Sequence, residues 1–242
     1  MPLIDKIYTL LDKLRFWPIQ PRFNIDNFMI SSAKSAKSDD LVLDAGAGAR
    51  PYKKLFATKK YFSCDFPDVL KKTNLQKKLQ QSFFCDLHKL PLNDSLFDFI
   101  ICNQVLEHVK EPEKVLSEYH RILKKDGIIF LTTHGVYGEH MVPFNFFHFT
   151  RYGLQNIFEK AGFEVCTIFP QGGICVVLFK VLEKTFDLLR PSKTWINKIT
   201  FLPIWFLIRV FLCFVGFCLF FLDKIDSEKK WTLTYAVKAK KK

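Results

Sequence analysis

Hydrophobic and polar positions alternate with two different periods along the chain, and together they predict an α/β fold. Short apolar runs typical of buried strands recur from residue 41 to residue 169, and amphipathic helical patterns such as Glu111–Leu123 separate them. Strands that alternate with helices form a parallel sheet covered on both faces. We therefore predict a Rossmann-like, seven-stranded, mostly parallel sheet with helices on both faces. The predicted strands are Leu41–Asp44, Tyr61–Cys64, Gln81–Cys85, Phe97–Cys102, Gly127–Thr132, Phe163–Phe169 and Trp231–Lys238.

A long apolar segment, roughly residues 174–225, separates the sixth and seventh predicted strands, and its composition predicts a helical insertion. Near the start, residues 3–16 place leucine and isoleucine at helical spacing, which predicts an amphipathic lead-in helix. We therefore divide the chain into four regions. They are an N-terminal helical lead-in (1–40), an α/β core (41–170), an apolar helical insertion (171–230) and a final strand with a basic tail (231–242).

The first predicted strand ends at Asp44 and runs into Gly46 and Gly48. Glycine lets the backbone approach a ligand closely, because it lacks a Cβ and tolerates positive φ. A dinucleotide site requires a third glycine three positions after the second. This chain has Pro51 there, which disfavours a nicotinamide or flavin dinucleotide and hence a dehydrogenase. S-adenosylmethionine has no pyrophosphate, and Asp44 would complement the ammonium group of its amino-acid end.

Polar side chains follow three further strands at the point where each strand ends. Asp65 comes about 20 positions after Asp44, which is the spacing expected for a carboxylate on ribose hydroxyls. Asp86, followed by Leu87, closes the third strand, where a carboxylate can accept a hydrogen bond from an adenine amino group. Asn103 follows the fourth strand. Because ligands of such sheets bind at the carboxyl ends of the strands, these residues together predict an adenosine-binding site.

From Leu41 to about Phe169 the chain resembles the class I S-adenosylmethionine-dependent methyltransferases. The resemblance is closest to a bacterial branch with the sequence Val-Leu-Glu-His-Val after the fourth strand, here Val105–Val109. Enzymes that methylate nucleic-acid amino groups or cytosine C5 carry an Asn/Asp-Pro-Pro-aromatic motif or a Pro-Cys nucleophile, and neither occurs in this sequence. The resemblance implies S-adenosyl-L-methionine as the cofactor. The expected cofactor-binding residues are Asp44, Gly46, Gly48, Asp65, Asp86, Leu87 and Asn103.

The segment Thr133–Leu154 resembles a loop of methyltransferases that act on surface glycans or lipid-linked substrates. Asn145 replaces an Asp of that pattern, and His148 replaces an Arg. Methyl transfer to a hydroxyl benefits from a base with a pKa near neutrality, which histidine provides. The alternative is that the loop histidines bond backbone groups and that catalysis depends on positioning alone. The candidate catalytic residues are His140, which we place first, His134, His148 and Glu139, and no metal-ligand set is predicted.

The formal net charge of +12 favours an anionic partner or surface. The lysines fall in short clusters without interleaved aromatic residues, so no nucleic-acid partner is expected. Seven cysteines without a C-x-x-C pattern favour a reducing compartment. Because Met1–Lys13 has no apolar signal core either, we expect a cytoplasmic protein at the inner face of the cell membrane.

The segment Phe201–Leu222 carries one charge, Arg209, and as a helix it would extend about 33 Å, enough to cross a bilayer. A single crossing would put the sixth and seventh strands on opposite sides of the membrane. We therefore expect residues 174–225 to contact the membrane as a hairpin or as interfacial helices. Ile174–Arg190 favours interfacial helices, because a polar stripe lies opposite an apolar one. The alternatives are a buried helical layer or a dimer interface. The stripe consists of Lys180, Glu183, Lys184, Asp187 and Arg190.

The sequence thus predicts an S-adenosylmethionine-dependent methyltransferase that O-methylates a lipid-linked, glycan or other amphipathic small-molecule acceptor at the cytoplasmic membrane face. A quinone or phospholipid acceptor is an alternative within the same class of enzyme. A second alternative is a non-catalytic, membrane-bound scaffold with a degenerate methyltransferase fold. The unusual residues Arg50 and Pro51 after the glycines, with Asn145 and His148, motivate that alternative.

Overall fold

The computed structural model describes residues 21–56, 60–67, 81–189 and 195–242. The predicted lead-in helix over residues 3–16 lies outside this part of the chain. The helices are α1 (Pro21–Ala33), α2 (Pro112–Ile122), α3 (Arg151–Lys160), α4 (Ile174–Asp187) and α5 (Trp195–Leu222), with a short 3-10 helix at Leu106–His108. The strands are β1 (Leu41–Ala45), β2 (Lys60–Asp65), β3 (Phe83–Phe84), β4 (Phe97–Asn103), β5 (Leu123–His134), β6 (Phe163–Gln171) and β7 (Thr234–Lys241).

The strands form one seven-stranded sheet in the order β3-β2-β1-β4-β5-β7-β6. β7 pairs antiparallel with both β5 and β6, and the other neighbouring strands pair in parallel. The predicted Rossmann-like, mostly parallel sheet with an apolar helical insertion before its last strand is therefore confirmed. The strand order reverses between β1 and β4, which is the point where ligands bind in open sheets of this kind.

Every strand differs from its predicted bounds by at least one residue; β5 begins at Leu123 instead of Gly127, and the differences in β3 and β7 have a clear cause. β3 is only Phe83–Phe84, because the residue before it is tied to β2 through hydrogen bonds between Ser82 and Ser63 that involve their side chains. β7 begins at Thr234 instead of Trp231, because β5 and β6 both end opposite Thr234 and leave the preceding residues without a strand to pair with.

Side chains of the central strands point alternately to the two faces of the sheet, because a strand has a period of two residues. They form two apolar layers, one on each face. On one face Leu43 packs in a cluster with Leu116 and Tyr119 of α2 and Phe158 of α3. On the other face Val42 packs in a cluster with Met29 of α1, together with Phe99 and Phe130. Local signals support these helices: Pro112 lies in the first turn of α2, and the Thr150 hydroxyl accepts the Gly153 N–H at the start of α3, at 3.1 Å.

The chain divides into two compact units. The α/β unit contains Ile25–Gln171 and Thr234–Lys242, and the second unit contains Gly172–Leu233. We call Gly172–Leu233 the insertion. It leaves β6 after Gln171 and re-enters the sheet at Thr234, and these two residues are paired in the sheet.

The insertion consists mainly of α4 and α5, as the apolar pattern predicts. The polar stripe predicted on α4 differs from expectation in which of its side chains are exposed to solvent. Lys180 and Glu183 form an ion pair whose side chains are largely buried, whereas Leu178 and Val181 are exposed. Arg209 of α5 pairs with Asp187 of α4, Lys184 remains exposed, and Arg190 of the predicted stripe lies outside the described residues.

We predict that Leu116→Ala destabilises the protein by about 2–5 kcal/mol, because Leu116 is fully buried under the sheet and its removal leaves a cavity. Urea unfolding should show this as a lower midpoint. Ile30→Ala, at an exposed position of α1, serves as the control and should change the free energy of unfolding by less than about 0.5 kcal/mol. Equal effects of the two substitutions would contradict the assignment of this layer as the core.

Candidate functional site

The sheet brings the polar residues predicted from strand ends to one edge. Asp44, Asp65 and Asn103 lie at the carboxyl ends of β1, β2 and β4, and His134 is the last residue of β5. These four strands are neighbours in the sheet. The residues therefore surround the point where the strand order reverses, where a ligand is expected.

The loop after β1 depends on glycine at both predicted positions. Gly46 has a φ of +73°, and a Cβ there would lie 2.4 Å from a methyl carbon of Val105, so a larger residue does not fit. Gly48 has a φ of +50°, and no atom lies within 4 Å of where its Cβ would be. The loop is held from both sides, because the Gly48 N–H donates to Asp65 at 2.8 Å and the Gln81 amide donates to the Gly48 carbonyl at 2.6 Å. It thus leaves open space beside a fixed backbone.

Asp44 is a buried carboxyl group at the end of β1. Burial raises its pKa to about 7, against the opposing effect of a hydrogen bond donated by the Tyr61 hydroxyl, and the nearby Asp65 raises the pKa further. A cationic ligand group at this point would favour the ionised carboxylate. Asp44 is therefore suited to the ammonium group of the expected cofactor.

Asp65 is largely buried at the end of β2. One carboxylate oxygen accepts the Gly48 N–H and the other accepts the Phe66 N–H, each at 2.8 Å. Burial raises the pKa of Asp65, and these two backbone donors counteract the shift. Because each carboxylate oxygen can accept a second hydrogen bond, the group retains capacity for two ribose hydroxyls.

The other predicted cofactor residues are engaged in different ways. The Asp86 carboxylate is largely exposed and pairs with His88 Nδ1 at 2.6 Å. The Leu87 side chain is buried in the core. The Asn103 side-chain oxygen accepts the Thr132 hydroxyl at 2.6 Å. Of the predicted cofactor residues, Asp44, Asp65 and the glycine loop thus lie at the strand ends where the cofactor is expected.

Glu107, in the 3-10 helix after β4, is fully buried. One carboxylate oxygen accepts the Thr133 hydroxyl at 2.7 Å, and the other lies 3.4 Å from Nε2 of His134. Burial raises the pKa of Glu107 to about 7. The Glu107 carbonyl also accepts the Phe146 N–H at 2.8 Å, which ties the loop after β5 to the end of β4.

His134 and His140 lie together beside Glu107. The His134 ring stacks on Tyr137 with centroids 4.1 Å apart, and the His140 ring meets His134 edge-on at 4.8 Å. Nδ1 of His140 lies 3.2 Å from the Gly138 carbonyl oxygen. Because a carbonyl only accepts hydrogen bonds, Nδ1 carries the hydrogen in this contact, and Nε2 keeps its lone pair.

Glu107, His134 and His140 also have the geometry of a metal centre within the described part of the chain. Each offers one ligand atom, and these atoms all lie within 4.8 Å of one another. Two imidazoles and a carboxylate are ligands that zinc accepts. The sequence predicted no such set, because positions 107, 134 and 140 come together only through the pairing of β4 with β5.

The remaining catalytic candidates, Glu139 and His148, are not part of this trio. Glu139 is exposed. His148 is exposed and lines an open groove of about 600 Å³ together with Lys110, Lys114 and Phe147. The structure thus groups two of the four predicted catalytic residues and adds Glu107, to which sequence reasoning gave no role. The signal was its place in the Val-Leu-Glu-His-Val segment, where a charged residue stands among apolar ones.

We predict that Asp65→Ala weakens binding of S-adenosylmethionine more than tenfold, about 1.4 kcal/mol, measured by calorimetry. The substitution removes the acceptors for the ribose hydroxyls and releases the Gly48 N–H. Asp39→Ala, at an exposed acidic position, is the matched control and should leave the affinity unchanged. An affinity of the Asp65 variant within twofold of the parent would assign Asp65 to the loop alone.

We also predict that binding of S-adenosylmethionine weakens as the pH falls from 8 to 6. Below its pKa of about 7 Asp44 gains a proton and loses the charge that attracts an ammonium group, whereas above it the carboxylate is ionised. Calorimetry across this range should show the decline in the parent and a flatter profile in Asp44→Asn. Parallel profiles in the two proteins would show that another group controls the pH dependence.

Comparison with known proteins agrees with this geometry. Residues 43–131 match the model of a family described as a methyltransferase domain. The chain is similar to the malonyl-[acyl-carrier protein] O-methyltransferase of Hamiltonella defensa, with 28% identity over 95 residues that cover 38% of this chain and 37% of that protein. The matches span less than two fifths of the length of the curated relatives.

Solved structures show the same fold at low sequence identity. Phosphoethanolamine N-methyltransferase 2 of Haemonchus contortus, in complex with S-adenosyl-L-methionine, is 17% identical with a TM-score of 0.53, covering 91% of this chain and 52% of that one. An S-adenosylmethionine-dependent methyltransferase of Mesorhizobium loti is 12% identical with a TM-score of 0.50, covering 87% of this chain and 96% of that one. Residues 43–131 therefore match a methyltransferase domain, and the α/β unit shares its fold with S-adenosylmethionine-dependent methyltransferases, which supports S-adenosyl-L-methionine as the cofactor.

Proposed function

We propose that the protein methylates a hydroxyl oxygen of a lipid-linked, glycan or other amphipathic acceptor at the cytoplasmic face of a membrane. The observation that carries the chemical part is the cluster of Glu107, His134 and His140 at the ends of β4 and β5, on the same edge of the sheet as Asp44 and Asp65. Oxygen as the methylated atom is also supported by the Hamiltonella relative, which is named an O-methyltransferase.

S-adenosylmethionine, when bound, would supply a sulfonium methyl group whose S–CH₃ bond breaks as the acceptor oxygen bonds to the carbon, with S-adenosylhomocysteine as the leaving group. The protein must hold the acceptor hydroxyl in line with that methyl group and accept its proton. In our proposal His140 accepts the hydroxyl proton at Nε2, because Nδ1 is held at the Gly138 carbonyl. The protonated ring gains a positive charge, which the nearby Glu107 carboxylate stabilises when ionised. His134 lies between the two groups and keeps their relative positions, since its ring contacts His140 and its Nε2 approaches Glu107.

The amphipathic acceptor is supported by the loop that carries His140. Met141, Val142, Phe146 and Phe147 expose large apolar side chains along this loop, and Val142 is 68% exposed. Exposed apolar residues that are contiguous in this way are typical of binding sites for apolar ligand groups. A membrane location is supported separately by the exposed apolar residues of the insertion.

We predict that His140→Ala lowers kcat by about 100-fold, within the range for loss of a general base, while the affinity for S-adenosylmethionine stays within twofold. His120→Gln, a substitution on α2, is the control and should retain activity. In the parent, kcat should rise as the pH passes through 7, because burial raises the pKa of Glu107 to about 7 and its carboxylate is ionised above that pH. Glu107→Gln should lower kcat and flatten this profile, which a merely structural role would not do.

Unchanged turnover of His140→Ala would remove His140 from the mechanism. Treatment with a chelator distinguishes proton transfer by these residues from metal chemistry at the same residues. Activity that disappears with EDTA and returns with Zn²⁺ would show that the trio is a metal centre and would contradict the role of His140 as a base.

The acceptor can be identified by mass spectrometry of membrane lipids and surface glycans from cells with and without the gene. We expect a species that carries one additional CH₂ when the gene is present. Purified protein with isotopically labelled cofactor should then methylate the unmodified species. If the protein binds the cofactor but changes neither lipids nor glycans, the proposed acceptor class is wrong.

A further inference from the structure

We infer that α4 and α5 dock the protein on a lipid bilayer with anionic headgroups, entering one leaflet and leaving by the same face. The inference deepens the membrane-face part of the proposed function and does not depend on methyl transfer. It rests on five observations of the insertion: an exposed apolar surface, buried charged side chains between the helices, a closed polar base, helix lengths, and basic and aromatic residues at that base.

The exposed surface of α5 is almost entirely apolar. Thr200–Leu222 is long and apolar enough to cross a membrane by length and composition, yet only 22% of its most apolar window is buried. Leu207 and Phe214 are 65% and 66% exposed. A soluble monomer rarely exposes so continuous an apolar surface. The large exposed side chains of this helix are Phe201, Ile204, Phe206, Leu207, Val210, Phe211, Phe214, Phe217, Phe221 and Leu222.

Three charged side chains of the helix pair are largely buried, namely Lys180, Glu183 and Arg209, whereas Lys184 near the end of α4 is exposed. The Arg209 side chain is only 11% exposed, with a guanidinium nitrogen 3.4 Å from Asp187 of α4. The guanidinium carbon lies 4.7 Å from the centroid of the Trp205 ring, and Trp205 is buried. Lys180 and Glu183 pair at 2.7 Å with side chains 20% and 10% exposed. Charge inside and apolar surface outside is the reverse of a water-soluble helix pair, and it is the arrangement that hydrocarbon favours.

The charge that would make insertion costly is thereby neutralised before the protein meets a membrane. An unpaired arginine at the centre of a bilayer costs about 2.5–3.5 kcal/mol even on insertion scales. Arg209 has an anionic partner and an aromatic face within the insertion itself, so docking desolvates apolar side chains and leaves this pair unchanged.

A polar base ties the first residues of α4 to the chain that follows α5. The buried Asp223 carboxylate accepts the Gly173 N–H at 2.9 Å, and Asp226 accepts the Ile174 N–H at 3.0 Å. A Cβ on Gly173 would lie 2.4 Å from a carboxylate oxygen of Asp226, so this approach requires glycine. Lys229 pairs with Asp223 at 3.2 Å. The beginning of α4 and the end of α5 are thus held at one place.

Helix length excludes two complete crossings. α4 has 14 residues, so it extends about 21 Å, and the hydrocarbon core is about 30 Å thick. Because α4 starts where α5 ends, a crossing by α5 would require α4 to return across the same thickness. To stay within one leaflet, α5, with 28 residues and a length of about 42 Å, must lie along the membrane plane.

Basic and aromatic residues at the base complement an anionic membrane surface. Lys224 is exposed, Trp231 is 57% exposed, and the exposed Lys230 forms an ion pair with Glu228. Tryptophan is enriched at membrane interfaces, and lysines near the surface contribute about 1 kcal/mol each with anionic lipids. The net charge of +12 acts in the same direction. These features favour a lipid surface over a second copy of this strongly basic chain.

Vesicle flotation of the purified full chain tests the inference. We expect the protein to float with vesicles of phosphatidylcholine and phosphatidylglycerol, and to float less with phosphatidylcholine alone. The double variant Leu207→Glu/Phe214→Glu should lose more than tenfold of this binding while it retains affinity for S-adenosylmethionine, which confirms a folded α/β unit. Ile30→Glu, an equally charged change at an exposed apolar position of α1, is the matched control and should float like the parent.

Asp65→Ala should also float like the parent, so failure of the methyltransferase proposal and failure of this one give different results. A parent that stays with the soluble fraction overturns docking. So does a parent that is a dimer without lipid and that the double variant converts to a monomer, because the apolar surface would then be a dimer interface. Equal loss of binding in Ile30→Glu would overturn the assignment to α5.

Sidedness is tested with tags at Met1 and Lys242 in cells. Protease added outside intact cells should cleave neither tag, and both should be cleaved in inverted membrane vesicles. Cleavage of the Lys242 tag alone from outside would show that the chain crosses the membrane once and would overturn entry and exit by the same face.

Discussion

The position of β7 in the sheet determines where the insertion begins and ends. β7 lies between β5 and β6 and pairs antiparallel with both, although more than 60 residues separate it from β6 in the chain. Without it, β5 and β6 would each keep an open edge where the sheet now has a continuous ladder. The insertion must therefore begin and end at the same place, and its helices must form a pair that turns back.

Local patterns predicted those parts of the fold that local physical chemistry determines. The Gly46–Gly48 loop and Asp65 were predictable, because a tight turn needs glycine and because strand ends converge at one edge of a parallel sheet. The ends of β7 were not, because they depend on where β5 and β6 stop. The burial of Lys180 and Glu183 on α4 was not predictable either, because helical periodicity carries no information about which face a second helix covers.

The candidate acceptor site also contains residues that local patterns predicted and one that they did not. His134 and His140 were predicted as candidates from residue type, whereas Glu107 was seen only as part of a resemblance. Its role follows from full burial beside His134 and from the Thr133 hydroxyl that holds it. Asp44 and Glu107 share a physical property, since burial raises the pKa of each to about 7. In the proposed reaction Asp44 serves the cofactor and Glu107 the acceptor, so modest changes in acidity would act on both halves of it.

The place of the insertion in the chain also has a consequence for biogenesis. A ribosome completes β1 to β6 and both apolar helices before it makes β7. During that interval the nascent chain presents two aggregation-prone surfaces, the unpaired edges of β5 and β6 and the phenylalanine-rich side of α5. A bilayer close to the site of translation would cover the second surface before the last strand closes the first. Translation near a membrane should therefore raise the yield of folded protein.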